Sequence, residues 1–318
     1  TMYKEFYGFA GEPFALGSDP GFLFLTDHHK KILESLLDGV RNKKGYMLLK
    51  GERGVGKTTL MRHFMGLLGE KIKPVQVCRN FGTFEEILET ILQELELPVG
   101  ERSKSRMWEQ LEEYLMQKAA FDETLVVIID DTQDLSKEVL EELRLLAVQD
   151  PRKPRSLQEI FVGDSGVEEI LYSEGLKQLG QRIAVRCTLE PLTETESRQY
   201  IENRLAGVGS GGSKVFTPEA LDLLCRYGKG IPRIINMICY LALSTCYALS
   251  KKEVDSAAVE DVVSILGRQK PDRGPLRKSS IRALAETFGK SRLIMKISYA
   301  LLAYSFISGM VFYLFLRE

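Results

Sequence analysis

Short apolar runs recur along the first 190 residues of the chain, separated by polar or glycine-containing segments. Continuous runs of this kind are typical of strands that are buried on both faces of a sheet. The pattern predicts strands at 46–50, 72–78, 125–130, 157–163 and 183–189. Helical spacing between them predicts helices at 58–68, 84–95, 106–119 and 136–148. Because strands alternate with helices, we expect a parallel α/β sheet.

The strand-like runs stop after Pro191, and only helical spacing follows. Helices are predicted at 194–205, 217–227, 232–249 and 256–266. Thr217 before Pro218 supplies a cap and a proline start for the second of them. The predicted organisation is an N-terminal segment at 1–40, an α/β core at 41–190 and an all-helical lid at 191–267. A basic linker at 268–296 and an apolar span at 297–316 follow.

Residues 297–316 are 20 consecutive positions without a charge. As a helix this stretch spans about 30 Å, the thickness of the hydrocarbon core of a membrane. Lys290, Arg292 and Lys296 precede it, and the positive-inside bias then keeps the body of the protein in the cytoplasm. We expect a C-terminal transmembrane helix here. The alternative is a core helix or an oligomer-contact helix.

The formal net charge of −1 conceals two parts of opposite sign. Residues 268–296 hold nine Lys or Arg and two Asp or Glu, a balance of +7, which leaves about −8 on residues 1–267. An acidic body has no general affinity for the phosphate backbone of nucleic acids. The basic segment fits a solvated linker and a helix lying on anionic lipid head groups equally well.

The composition, 44% hydrophobic and 27% charged, is that of an ordinary folded protein, and 318 residues predict two domains. The five cysteines are odd in number and show no C-x-x-C spacing, and the chain has only three histidines. We therefore expect neither a disulfide framework nor a metal site built from cysteine and histidine.

The sequence GERGVGKTT at 51–59 matches the phosphate-binding loop G-x-x-x-x-G-K-[ST] at every required position. It follows a predicted strand and opens a predicted helix, as the motif requires, and a plain glycine-rich turn would not need Lys-Thr there. Lys57 is predicted to reach the β- and γ-phosphates, and Thr58 to bind Mg²⁺. The residues predicted to bind the nucleotide in this loop are Gly51, Glu52, Arg53, Gly54, Val55, Gly56, Lys57, Thr58 and Thr59.

A second motif follows some 70 residues later, where the apolar run 125–129 ends in Asp130 and Asp131. A buried parallel strand delivers such residues to the carboxyl edge of the sheet. Alone, the motif also fits a solvated Asp-Asp turn. Together with the phosphate loop it predicts an ATPase that uses ATP and Mg²⁺, with Asp130 holding the metal and Asp131 polarising the attacking water.

Several segments resemble the GspA/ExeA family of bacterial secretion ATPases, the general secretion pathway protein A family. They are the opening MYKEFYGFAGEPF, the phosphate loop, IDDTQDL at 129–135, QRIAVR at 181–186 and GIPRIIN at 230–236. The resemblance covers residues 2 to about 267. It implies an AAA+ fold with a P-loop core and a helical lid, membrane anchoring, and work with the secretion machinery. Related modules serve exosortase-linked polysaccharide systems and DNA transposition.

The chain departs from this family pattern at three points. The pattern usually has Asp-Glu where this chain has Asp130-Asp131, so the second acid is one methylene shorter. After the fourth strand the pattern has glutamine, whereas this chain has Asp164, whose charge would repel the γ-phosphate beside which the resemblance places it. No domain follows the predicted span in this sequence, so the peptidoglycan binding of many family members cannot be carried over to it.

Two arginines match positions that the family uses in catalysis. Arg233, in GIPR at the start of a lid helix, resembles the second sensor, which contacts nucleotide in its own subunit. Arg182, before the last strand, resembles the finger supplied to a neighbouring subunit, and Arg186 is the rival for that role. Each could instead form a surface salt bridge. The residues predicted to act in catalysis are Lys57, Asp131, Arg182 and Arg233.

The sequence thus leads to a main hypothesis and two alternatives. The main hypothesis is a single-pass protein of the bacterial inner membrane with its ATPase domain in the cytoplasm. It would form a ring or arc of identical subunits and act with protein partners in secretion or cell-envelope assembly. The first alternative is a DNA-binding transposition or replication ATPase, which the acidic body disfavours. The second is a nucleotide-gated membrane scaffold with little hydrolysis, motivated by Asp131 and Asp164.

Overall fold

The computed structural model describes residues 3–15, 23–78, 82–99, 103–146, 156–173, 175–209 and 215–268. The described residues form two compact units. The sheet unit lies within Leu23–Pro191, and the helical unit combines residues of Thr1–Phe22 with residues of Leu192–Glu318. The structure therefore divides the N-terminal segment predicted at 1–40 between the two units.

Five parallel strands form the sheet of the sheet unit, in the order β2-β3-β4-β1-β5. They are β1 (Tyr46–Gly51), β2 (Ile72–Val77), β3 (Thr124–Ile129), β4 (Leu157–Gly163) and β5 (Ile183–Leu189). Almost every residue of β1, β3 and β4 is buried, as the continuous apolar runs require. The predicted parallel α/β sheet is confirmed, with strand ends that differ from the prediction by one residue at most.

The strand order decides which loops become neighbours. β1 lies between β4 and β5, and β4 lies between β3 and β1. Leu49 of β1 is level with Val162 of β4, and Phe161 of β4 is level with Ile129 of β3. The loops that leave the carboxyl ends of β1, β3 and β4 therefore lie side by side at one edge of the sheet.

The helices follow the predicted alternation with the strands. In chain order they are α1 (Tyr3–Tyr7), α2 (Asp27–Arg41), α3 (Lys57–Gly66), α4 (Phe84–Glu94), α5 (Lys104–Ala120), α6 (Lys137–Leu146), α7 (Gly166–Leu171), α8 (Lys177–Arg182), α9 (Glu194–Gly207), α10 (Pro218–Gly228), α11 (Pro232–Ala248) and α12 (Ser256–Arg268). Side chains of α4, α5 and α6 form a hydrophobic core with one face of the sheet, where Val127 and Phe161 are fully buried.

The sequence pattern predicts no helix at α1, α2, α7 or α8. α1 has only five residues. α2 has a recognisable signal, because Ile32, Leu33, Leu36 and Val40 recur at helical spacing and all are buried. The helix begins at the cap Thr26, whose side chain accepts the backbone N–H of His29. α7 and α8 have six residues each, too short for a periodic pattern to be visible.

In the helical unit, the N-terminal segment is bonded to the helices. Arg204 of α9 is buried and donates to the backbone oxygen of Pro13 at 2.7 Å. The fully buried ring of Phe14 meets Phe216 edge to face, with 6.1 Å between ring centroids. The aromatic opening of the chain is thus part of the core of this unit.

Among the described residues, no helix has both the length and the apolar character to cross a membrane. The predicted transmembrane helix at 297–316 and all but the first residue of the predicted linker at 268–296 lie outside the described residues.

Candidate functional site

The loop between β1 and α3 has the backbone shape of a phosphate cradle. Gly54 and Gly56 have φ of 88° and 109°, values that residues with a side chain rarely adopt. A Cβ on Gly51 would lie 2.5 Å from the backbone oxygen of Leu189 in β5, so this position also requires glycine. A loop of this shape, followed by the first turn of a helix, is suited to bind an anion through its backbone N–H groups.

Lys57 is the first residue of α3, and only 7% of it is exposed. Its ammonium donates to the backbone oxygens of Gly51 at 2.8 Å and of Glu52 at 3.1 Å, which holds it against the loop. Burial lowers the pKa of Lys57, while the nearby Asp130 and Asp131 act in the opposite direction. A bound phosphate would favour the charged ammonium further, so the residue fits an anionic ligand.

Thr58, the next residue, joins the phosphate loop to the end of β3. Its hydroxyl donates to Oδ2 of Asp130 at 2.7 Å, and Oδ1 of Asp130 accepts the backbone N–H of Asp131 at 3.0 Å. Burial raises the pKa of Asp130, although the bond from Thr58 opposes this effect. One hydroxyl and one carboxylate beside a phosphate cradle are a donor set that fits Mg²⁺, which takes oxygen ligands from few side chains and from phosphates.

Asp131 has a left-handed backbone, with φ of 51°. Aspartate tolerates this conformation better than most residues with a side chain. Its carboxylate accepts a hydrogen bond from Nε2 of Gln133 at 3.2 Å. The exposed side chain therefore stands beside the buried Asp130, with its orientation set by Gln133.

Asp164 directly follows β4 and is bonded to both neighbouring loops. Its backbone N–H donates to Oε1 of Gln133 at 3.1 Å. Its Oδ2 accepts Nε of Arg53 at 3.0 Å, and a second nitrogen of Arg53 reaches Asp134 at 3.4 Å. The sequence motifs predict Arg53 and Asp164 as separate residues of the nucleotide site and assign no role to Gln133 or Asp134. The polar run IDDTQD was the available signal.

The remaining predicted nucleotide contacts belong to the same loop. Val55 is buried, whereas the side chain of Glu52 is exposed and its backbone oxygen accepts Lys57. Thr59 lies in the first turn of α3. The structure thus brings together the phosphate loop, Asp130, Asp131 and Asp164.

Arg182 lies at the amino edge of the sheet, where the parallel strands begin. Ile183, which follows it, is level with Tyr46, whereas Leu189 is level with Gly51 at the phosphate loop. The strands separate the two levels by about 20 Å, at about 3.3 Å for each residue. Because of this distance, the exposed side chain of Arg182 does not reach the phosphate loop of its own chain.

Arg186 differs from Arg182 because it is engaged within its own unit. Its guanidinium donates to the backbone oxygen of Gly180 at 2.5 Å and lies 5.3 Å from the centre of the Tyr172 ring. Arg233 belongs to the helical unit, where it is the exposed second residue of α11. Gly230 precedes this helix with φ of 69°, and a Cβ there would collide with the backbone of Leu192.

Known proteins match this fold and this loop. Residues 40–171 match the family described as AAA domain. General secretion pathway protein A of Aeromonas hydrophila is 32% identical over 254 residues, which are 80% of this chain and 46% of that protein. The chain is an AAA+ ATPase that is similar to general secretion pathway protein A over 80% of its own length. It spans about half the length of this curated relative.

Two solved structures are similar to this AAA+ ATPase in fold. CDC6P from Pyrobaculum aerophilum has a TM-score of 0.65 at 18% identity, over 82% of this chain and 71% of that chain. The ORC2 protein of Aeropyrum pernix, in ADPNP-ADP complexes, has a TM-score of 0.58 at 17% identity, over 82% of this chain and 74% of that chain. At these identities the likeness shows the fold alone.

Proposed function

We propose that this AAA+ module hydrolyses ATP at the carboxyl edge of its sheet. Lys57 and the backbone N–H groups of the loop bind the β- and γ-phosphates, and Thr58 with Asp130 holds Mg²⁺. The metal, once bound, neutralises charge on the phosphate oxygens. Asp131 orients the attacking water. The bond from Thr58 to Asp130 at 2.7 Å carries this assignment, because it joins the two predicted metal ligands across β1 and β3.

Arg182 completes the site of a neighbouring subunit in this proposal. Its place at the opposite edge of the sheet, about 20 Å from its own phosphate loop, supports action in trans. Arg186 is less suited, because it is bonded to Gly180 and stacked on Tyr172. An arginine supplied in trans makes hydrolysis depend on assembly, which is why we propose a ring or arc of identical subunits. Arg233 acts as the second sensor of the nucleotide in its own chain.

We further propose that the ATPase works in bacterial secretion or cell-envelope assembly at the inner membrane. The similarity to general secretion pathway protein A over 80% of the chain supports this role. The uncharged stretch at 297–316 would anchor the chain, with the ATPase domain in the cytoplasm. A tail confined to the plane of the membrane raises the effective concentration of subunits, so weak contacts suffice for assembly.

Fractionation of cells tests the anchor. The full chain should pellet with membranes, and a variant without residues 297–318 should be soluble, with lower specific activity at equal bulk concentration. Identical fractionation of both proteins would make this stretch a core helix. Co-purification from detergent-solubilised membranes then identifies the partners, and partners from an unrelated process would contradict the secretion or envelope role.

A further inference from the structure

Asp164 is an acid beside the phosphate loop, and its charge is matched within the same chain. Both of its carboxylate oxygens have a donor, Gly166 N–H at 3.0 Å on Oδ1 and Nε of Arg53 at 3.0 Å on Oδ2. Arg53 is part of the phosphate loop itself, between Glu52 and Gly54. The loop that binds phosphate therefore also supplies the cation that opposes Asp164.

Asp164 is also connected to the acid that we assign to the attacking water. Its backbone N–H donates to Oε1 of Gln133 at 3.1 Å, and Nε2 of Gln133 donates to Asp131 at 3.2 Å. A Cβ on Gly163 would lie 2.6 Å from Oε1 of Gln133, so the glycine leaves room for this amide. A shift of Asp164 would therefore reach Asp131 through one side chain.

The charge balance of this edge makes the cation necessary. Four carboxylates, Asp130, Asp131, Asp134 and Asp164, follow the ends of β3 and β4. Arg53 bonds to two of them, and Lys57 faces the loop. A γ-phosphate that arrives here adds further negative charge, so an unopposed Asp164 would repel it.

We propose that Arg53 and Asp164 act as one neutral unit beside the γ-phosphate. In this unit the positive charge of Arg53 balances the negative charge of Asp164. Asp164 then acts as a neutral polar residue would, because its backbone N–H positions Gln133, which in turn positions Asp131. Arg53 is thus a positioning residue rather than a phosphate ligand. The proposal rests on the ATP site described above and explains how a chain with an acid at this place binds ATP.

A double-mutant cycle in the full chain tests the unit. The variants are Arg53→Gln, Asp164→Asn and both together, with ATP affinity, ADP affinity and turnover at saturating ATP measured for each. In Arg53→Gln the affinity for ATP should fall about tenfold and that for ADP less than about threefold, because only ATP has a γ-phosphate. Adding Asp164→Asn should restore ATP affinity to within about threefold of the parent, because the repelling charge is gone.

The matched control is Lys43→Gln. Lys43 forms an ion pair with Asp122 at 2.6 Å, and both residues precede strands, at the amino edge of the sheet. This variant should bind both nucleotides as the parent does. Turnover in Arg53→Gln should fall and then recover in the double variant, a rescue that a merely structural role of Arg53 would not produce.

Two results would overturn the proposal. If the double variant binds ATP as weakly as Arg53→Gln, Arg53 contacts phosphate directly. If Arg53→Gln binds and turns over ATP like the parent, the pair has no role at this site. Lys57→Ala distinguishes these results from a failure of the ATP site itself. If Lys57→Ala loses ATP binding while the Arg53 and Asp164 variants bind ATP like the parent, the ATP site stands and only the proposed role of the Arg53–Asp164 pair is wrong.

Discussion

The acids at the carboxyl edge of the sheet all have hydrogen-bond donors, whereas Glu159 near the amino edge has none among the described residues. Asp130 accepts from Thr58, and Asp164 accepts from Arg53. Glu159 lies in β4, the strand that Asp164 directly follows. Its side chain is fully buried, and both of its carboxylate oxygens lack a hydrogen-bond partner within the described chain. The difference separates acids whose oxygens accept hydrogen bonds from an acid that is buried without a donor among the described residues.

The arginines of the two edges differ in the same way. At the carboxyl edge Arg53 is committed to two acids of its own chain. At the amino edge the side chain of Arg182 is exposed, and burial raises the pKa of the nearby Tyr46 while the charge of Arg182 opposes this larger effect. The arginine of one edge is therefore engaged within its own chain, whereas the proposed function assigns the arginine of the other edge to a neighbouring subunit.

The largest effect should come from removing Lys57, the buried lysine of the phosphate loop. Lys57→Ala deletes the ammonium that faces the phosphates and leaves the loop backbone in place, so ATP binding or hydrolysis should fall to background. Equilibrium binding of a fluorescent ATP analogue and phosphate release measure the two quantities. Unchanged affinity and turnover would contradict the assignment of this edge as the nucleotide site.

Removing the arginine of the amino edge should act differently. Arg182→Ala should lower turnover by roughly a thousandfold while ATP affinity stays near that of the parent, because the finger acts on a neighbour in the transition state. Mixing this variant with Lys57→Ala should restore some activity, since hybrid interfaces combine an intact loop with an intact finger. Turnover independent of protein concentration, with no recovery on mixing, would indicate a monomeric ATPase. Arg186→Ala serves as the comparison for the rival finger.

The acid beside the metal site should show an intermediate effect. Asp131→Asn removes the charge that polarises water but keeps an oxygen for Gln133, so turnover should fall by about a hundredfold or more while ATP remains bound. Asp131→Glu should hold or raise the rate. If both variants hydrolyse ATP like the parent, Asp131 is only a strand-end residue and a nucleotide-gated scaffold becomes the better interpretation.

The enclosed acid should affect stability rather than catalysis. Replacing Glu159 with methionine, of similar size, removes a buried polar group without partners and should raise the free energy of unfolding by about 1–3 kcal/mol. Thermal unfolding with the ATPase rate as the control measures this, and the rate should not change. A lower melting temperature would mean that the carboxyl group is bonded in solution.

The pH dependence of the same position has a definite sign. Burial raises the pKa of Glu159 well above its usual value, so the folded protein keeps a proton that the unfolded chain releases. The stability that this group contributes is present below its unfolded pKa and is lost as the pH rises toward its folded pKa. The advantage of Glu159→Met should therefore grow from acidic to neutral pH, and Glu159→Gln, which cannot ionise, should flatten this part of the profile.

Much of the fold was predictable because its signals are local. The apolar runs of β1, β3 and β4 identify strands that are buried on both faces, and the loop at 51–59 identifies its own ligand class. α2 was missed although its periodicity is present, whereas the six-residue helices α7 and α8 are too short for a pattern. The sequence also named Asp130, Asp131 and Asp164 as strand-end acids.

The pairings between these residues depend on the strand order, which periodicity does not encode. Thr58 meets Asp130, and Arg53 meets Asp164, because β1 and β3 both flank β4. The same topology places Arg182 at the amino edge of the sheet and buries Glu159 in β4, which lies between β3 and β1. The sequence by itself determined the element types, the ligand class of the loop and the strand-end acids, since these follow from neighbours along the chain. Only the tertiary structure decided which charges meet, because such contacts join residues about 70 to 110 positions apart.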